Sequence, residues 1–209
     1  MTRFSSACVL TVTLVTSAVA QDPRLERLDP ATRPAIAALI DSARAAALPT
    51  EPLVQRALEG ATKRASSDRI VAAVRRLAAD LGQARDALGS AAPPAELTAG
   101  AAALRAGARP TTLSALRRTR RESLTVPLAV LADLVASGVP VDSAAAAVLS
   151  LAARTPDGDL VEFRRAVERD IALGAPPVSA ATAAAAAAAL STADVQVNAG
   201  ARQQRPGRP

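Results

Sequence analysis

The chain has 209 residues, with 25 Lys and Arg against 19 Asp and Glu, no histidine, and a formal net charge of +6 at pH 7. It has no tryptophan or tyrosine, two phenylalanines, one cysteine (Cys8) and one methionine (Met1). That inventory excludes Ser-His-Asp and Cys-His catalysis and any zinc site built from histidine and cysteine.

The chain opens MTRFSSACVLTVTLVTSAVAQDP. Arg3 is a positive start, an apolar stretch runs from about Ala7 to Val15, and Ser17, Ala18, Val19 and Ala20 form a small-x-small site. This order predicts a secretory signal peptide over residues 1–20, cut between Ala20 and Gln21. An uncleaved anchor is the alternative, although the apolar run falls short of the roughly 20 residues that span a bilayer. The expected destination is the periplasm or the cell exterior. Cleavage removes Cys8 and Met1 and leaves Phe163 as the one aromatic residue. Without disulfides, folding of the mature chain rests on apolar burial, and its length suffices for one domain with a core.

Residues 21–33, which follow the signal, are expected to be loose. A helical domain is expected over 34–191. Ile36, Leu39, Ile40, Ala43 and Ala47 share one helical face, as do Leu53, Ala57, Leu58 and Ala61. Ile70, Val74, Leu77, Leu81, Ala84 and Leu88 give the clearest seam, starting at Ser67 or Asp68 and stopping at Gly89. Further seams are Leu97, Ala101 and Leu104 before Gly107, and Leu128, Leu131, Leu134 and Val135 before Gly138. Ala144, Val148, Leu149 and Ala152 follow, then Leu160, Phe163, Val167 and Ile171 before Gly174. The run Ala183 to Ala189 predicts a last helix. No stretch alternates with period two long enough to predict a strand.

Glycine and proline punctuate these seams. Turns are read at Pro49, Pro93 and Pro94, Pro110, Pro140, and Pro176 and Pro177. Pro49, Pro94 and Pro140 stand at nearly even spacing, about the length of a two- or three-helix solenoid unit. Aligning Pro49 with Pro140 lays Leu53 on Ala144, Ala57 on Val148, Leu58 on Leu149 and Ala61 on Ala152. The fold class predicted is all-α: antiparallel helical hairpins stacked as a short irregular α-solenoid, with a compact helical bundle as the alternative. Unrelated alanine-rich hairpins would mimic the repeat. The aromatic pattern of tetratricopeptide repeats and the ankyrin signature are absent, so no family is read. The tail, residues 192–209, has no apolar period and carries Arg202, Arg205 and Arg208. It is expected to be a disordered basic tail.

Candidate chemistry is sparse. Asp157, Asp159 and Glu162 suggest a calcium loop by composition, but their spacing does not fit the EF-hand. A structural reading fits better: Asp157 and Gly158 turn the chain, Asp159 caps the next helix, and Glu162 completes a capping-box-like pair. No cofactor and no metal site is expected. The stretch LRRTRRES holds Arg117, Arg118, Arg120 and Arg121. On a continuing helix Arg117 and Arg121 share a face beside Arg118, while Arg120 lies nearer Leu113 and Leu116. Two readings stand: a solvated face that complements the helix dipole, or an anion-binding patch of Arg117, Arg118 and Arg121. Nucleic acid is not expected as a partner, because stacking aromatics are absent.

These features predict an exported, non-enzymatic helical scaffold or binding module of the bacterial cell envelope. Its partner would be an envelope protein or an anionic polymer. A membrane-surface or lipid-binding amphipathic protein is the second reading, which the lack of Trp and Phe anchors disfavours. A carboxylate-based enzyme is the third and weakest.

Overall fold

A computed structural model describes residues 22–203, with backbone alone for 191–203. The signal-peptide reading of residues 1–20 therefore lies outside the described residues. Among the described residues the fold is all-helical, with no strand.

The segment expected to be loose contains a short helical turn. A single 3-10 turn, Pro23–Arg27, buries Leu25, and Leu28 just after it is buried too. These two leucines, three apart, point the same way and seal the end of the core. Arg24 fixes the turn from outside: its guanidinium bonds both Asp22 (2.6 Å) and Glu51 (2.6 Å). Hydrogen bonds from Arg24 hold both carboxyls below the usual carboxylate range.

Among the described residues nine helices follow: α1 (Arg33–Ala45), α2 (Glu51–Thr62), α3 (Ser67–Leu88), α4 (Pro94–Arg105), α5 (Pro110–Thr119), α6 (Thr125–Ala136), α7 (Val141–Ala152), α8 (Asp157–Ala172) and α9 (Pro177–Gln203). Proline stands in the first turn of α1, α2, α4 and α5, where its missing N–H costs nothing. The seam read in α3 is its buried face: Ile70, Val74, Leu77, Leu81, Ala84 and Leu88. Helix α9 runs to Gln203, into the stretch expected to be a basic tail. Between Ser191 and Gln203 no proline interrupts, and a helix already nucleated propagates through such residues. Residues 204–209 lie outside the described residues.

The helices pack in two rows. In one row α1 touches α3, α3 touches α5, α5 touches α7 and α7 touches α9; in the other α4 touches α6 and α6 touches α8. Leucines from both rows meet between them, among them Leu81, Leu113, Leu128, Leu131, Leu134 and Leu160. Where α3, α4 and α5 converge, Gly100 gives room: a Cβ there would stand 3.1 Å from the Ala84 Cβ and 3.2 Å from the Leu88 Cδ1.

One kind of turn recurs along one edge. Arg64, Gly107, Gly138 and Gly174 have positive φ. The next residue closes the helix behind it: Ala65 N–H donates to Gly60 C=O, Ala108 to Ala103, Val139 to Leu134 and Ala175 to Asp170. These turns nest, with Gly107 against Val141 and Gly138 against Pro177. The turn before Pro49 closes in the same way as the turn before Pro140: Ala47 has positive φ and Leu48 N–H donates to Ala43 C=O, as Val139 does to Leu134. Pro49 precedes α2, the first helix of the pair α2–α3, whereas Pro140 precedes α7, the second of its pair. The alignment of Leu53 with Ala144 therefore matches helices that hold different places in the stack.

The capping expectation for α8 is also corrected. The helix begins at Asp157, with Pro156 as its N-cap and no side-chain cap bond. Asp159 lies within the first turn, and Glu162 pairs with Arg165 instead (2.7 Å). Asp157 is drawn to an arginine from another turn.

Candidate functional site

That arginine belongs to the cluster. Helix α5 ends at Thr119, and Arg120 is extended (φ −130°, ψ 127°). The four arginines therefore do not share one helix. Extended backbone sends successive side chains to opposite sides, so Arg120 turns inward and is 7 % exposed while Arg121 turns out to solvent.

Arg117 is still helical, and its side chain crosses to α4. There it bonds Glu96, which is 2 % exposed. The other Glu96 oxygen accepts the backbone N–H of Leu124 (2.9 Å). One buried carboxylate thus joins α4, the end of α5 and the start of α6. A buried charge is tolerated when it is paired and hydrogen-bonded in this way.

Arg120 joins the next turn. Its Nη1 donates to the Thr155 carbonyl (3.2 Å), and its Nη2 contacts Asp157 (2.8 Å) and Glu122 (3.0 Å). The α5–α6 turn is thereby clamped to the α7–α8 turn. Arg85 on α3 makes a similar bond, donating to the Ala46 carbonyl at the end of α1 (2.7 Å). An arginine suits the carbonyl end of a helix because that end is partially negative.

The expected patch of Arg117, Arg118 and Arg121 is therefore divided. Arg117 is neutralised by Glu96 and half-buried, whereas Arg118 and Arg121 are exposed and form no ion pair with a described residue. The reading of the whole cluster as a solvated face fails for Arg117 and Arg120, which make contacts between elements.

Arg121 instead shares a groove with Arg154, an exposed residue that the sequence reading passed over. The groove, about 500 Å³, lies between the α5–α6 and α7–α8 turns and is lined by Thr119, Arg120, Arg121, Glu122, Arg154 and Thr155 among others. Arg154 has no ion pair with a described residue; its Nε donates to the Ser150 carbonyl (3.3 Å). No periodic signal marked Arg154, because it follows the end of α7. Glu96 was equally silent: an acid in the first turn of a helix looks like dipole compensation.

The groove holds the guanidinium groups of Arg120, Arg121 and Arg154, the hydroxyl-bearing Thr119 and Thr155, and the Glu122 carboxylate. Among the described residues no cluster of three or more metal-ligating side chains forms, and no helix is long and apolar enough to cross a membrane. The chemistry the arrangement supports is recognition of oxyanions by guanidinium groups. Comparison with protein-family models, curated proteins and solved structures finds no match.

Proposed function

We propose that this chain is an exported, non-enzymatic helical scaffold or binding module of the bacterial cell envelope, whose partner is a protein or an anionic polymer. The observation that carries the reading is the open groove at the turn edge, where Arg121 and Arg154 stand exposed and unpaired beside the buried Arg120. The paired helices act as short repeat units, with the left-handed turn as their common element. Such stacks offer extended surfaces for binding. Export follows from the signal-like residues 1–20, with a cut after Ala20 and a periplasmic or secreted destination.

The test has two parts. Intact mass of the exported protein should correspond to a chain that starts at Gln21, and retention of residues 1–20 would contradict cleavage. Immobilised mature protein should retain a specific component of an envelope extract, protein or polymer. No retention at low salt would overturn the binding reading.

A second reading, contact with a membrane surface, has one observation in its favour. Leu173 (80 % exposed), Val178 and Leu190 (69 %) are the large apolar side chains exposed among the described residues, and all belong to the α8–α9 end. Salt-insensitive co-sedimentation with anionic liposomes would favour it over the first.

A further inference from the structure

Two grooves lie against α5, one beyond its C-terminal end and one along the side that faces α3. The first is the groove of Arg121 and Arg154. The second, about 380 Å³, lies between α3 and α5 and is lined by Gln83, Asp86, Thr111, Ser114 and Arg118 among others. In each groove the carboxylate is already engaged and the outer arginines are not. Glu122 meets Arg120 at 3.0 Å, and Asp86 meets Arg85 at 3.2 Å. Arg118, Arg121 and Arg154 are exposed and make no ion pair with a described residue. Each groove therefore presents a free guanidinium beside an ion-paired carboxylate; in the first, Glu122 shares Arg120 with Asp157 (2.8 Å), and Arg121 and Arg154 leave the balance positive.

The two grooves share no lining residue and lie on different sides of α5, one toward α3 and the other toward the α7–α8 turn. A single small oxyanion cannot fill both. A linear chain with oxyanion groups at intervals can, each group accepting a pair of N–H bonds from one guanidinium. We infer that the ends of α3, α5 and α7 form a track for a linear polyanion, held by Arg118 in one groove and by Arg121 and Arg154 in the other. Arg120 and Arg117 do not contact the ligand; they hold the turns that carry the contact residues. Neither groove contains an aromatic side chain, and Phe163 is buried. The track thus reads charge and spacing and has no platform on which a base could stack. The inference rests on the binding-module reading and names the ligand class and the residues of that site.

The experiment is equilibrium binding, at low salt, of the full mature protein to two labelled probes, inorganic polyphosphate and poly-glutamate. The variants are Arg121→Gln/Arg154→Gln, Arg118→Gln and, as a control, Arg165→Gln on α8, whose partner is Glu162. Wild type should bind at least one probe, and affinity should fall as salt rises. The preferred probe identifies phosphate or carboxylate as the group held. The double variant should lose roughly tenfold or more in affinity, as expected when a charge-assisted contact is removed. Arg118→Gln should weaken binding several-fold, and the control should stay within about twofold. All variants should keep the helical circular dichroism of wild type, since the changed residues are exposed. Equal losses in the control and the groove variants would overturn the track, because they would mean attraction to net charge alone. So would failure of wild type to bind either probe. Retention of an envelope protein in the extract assay together with such a failure would remove the polyanion track and leave the binding-module reading standing.

Discussion

Glu96 and Leu124 are bound through a buried carboxylate: a Glu96 oxygen accepts the Leu124 backbone N–H at 2.9 Å while the other oxygen pairs with Arg117. The residues that join α5 to α6 thus depend on an acid in α4.

Replacing Glu96 should therefore cost more than its place near a helix start suggests. Glu96→Leu leaves Arg117 unpaired and the Leu124 N–H without an acceptor, for a loss of about 2–4 kcal/mol in urea unfolding. Glu96→Gln keeps an acceptor and should cost less. Adding Arg117→Leu to Glu96→Leu should recover part of the loss, because a buried pair replaced as a whole costs less than one broken. A double variant less stable than Glu96→Leu alone would contradict the pairing.

Two glycines should respond in opposite directions to alanine. At Gly100 a Cβ would crowd Ala84, Leu88 and Leu113, all at 3.1–3.3 Å. Gly100→Ala should destabilise by about 1–2 kcal/mol even after the gain in helix propensity. At Gly82 nothing lies within 4 Å of the added carbon. Gly82→Ala should stabilise by roughly 0.5–1 kcal/mol. Thermal unfolding of the two variants checks the signs.

Left-handed backbone at Ala47 (φ 54°) and Arg64 (φ 53°) sits where other turns use glycine. Ala47→Gly and Arg64→Gly should each stabilise by about 0.5–1 kcal/mol, since the strain on a Cβ in this region is about 1–2 kcal/mol and glycine loses some of that gain in the unfolded chain. Gly138→Ala should do the reverse. Urea midpoints for the three variants measure this directly.

The Arg24 clip predicts a pH response at the start of the chain. The carboxyls of Asp22 and Glu51 are held low by Arg24 in the folded state. Their contribution is thus fully present above the unfolded carboxyl values, near pH 4, and is lost as pH falls through the lower folded values. Amide exchange of Leu25 and Leu28, corrected for intrinsic rates, should be slow at neutral pH and should lose protection below about pH 4 before the core helices do. Unchanged protection of these two amides in acid would contradict the clip.

Much of the helical framework was legible in the sequence because its signals are local. The seam from Ile70 to Leu88 and the stops at Gly89, Gly107, Gly138 and Gly174 all depend on residues within a turn or two of one another. The site was less legible because tertiary contacts decide it. Nothing near Thr119 announces a helix end; neither glycine nor proline follows, and the break brings Arg120 to Thr155 and Asp157. Glu96 is buried by α5 and α6, which lie more than ten residues further along the chain. Leu25 and Leu28 were too short a pattern to stand out beside Pro23 and Pro30. The even proline spacing does not follow the helix pairs: Pro49 stands before α2, which opens the pair α2–α3, whereas Pro140 stands inside the pair α6–α7.

The central claim is that the cluster divides into arginines that hold the turns together and arginines free to bind. Urea unfolding of four single variants, Arg117→Gln, Arg118→Gln, Arg120→Gln and Arg121→Gln, tests it most directly. Arg118→Gln and Arg121→Gln should stay within about 0.5 kcal/mol of wild type, as surface changes do. Arg117→Gln and Arg120→Gln should each cost about 1–3 kcal/mol, because Glu96 and Asp157 lose their partners and Thr155 its donor. Four equal and small effects would contradict the division and return the whole cluster to a solvated face.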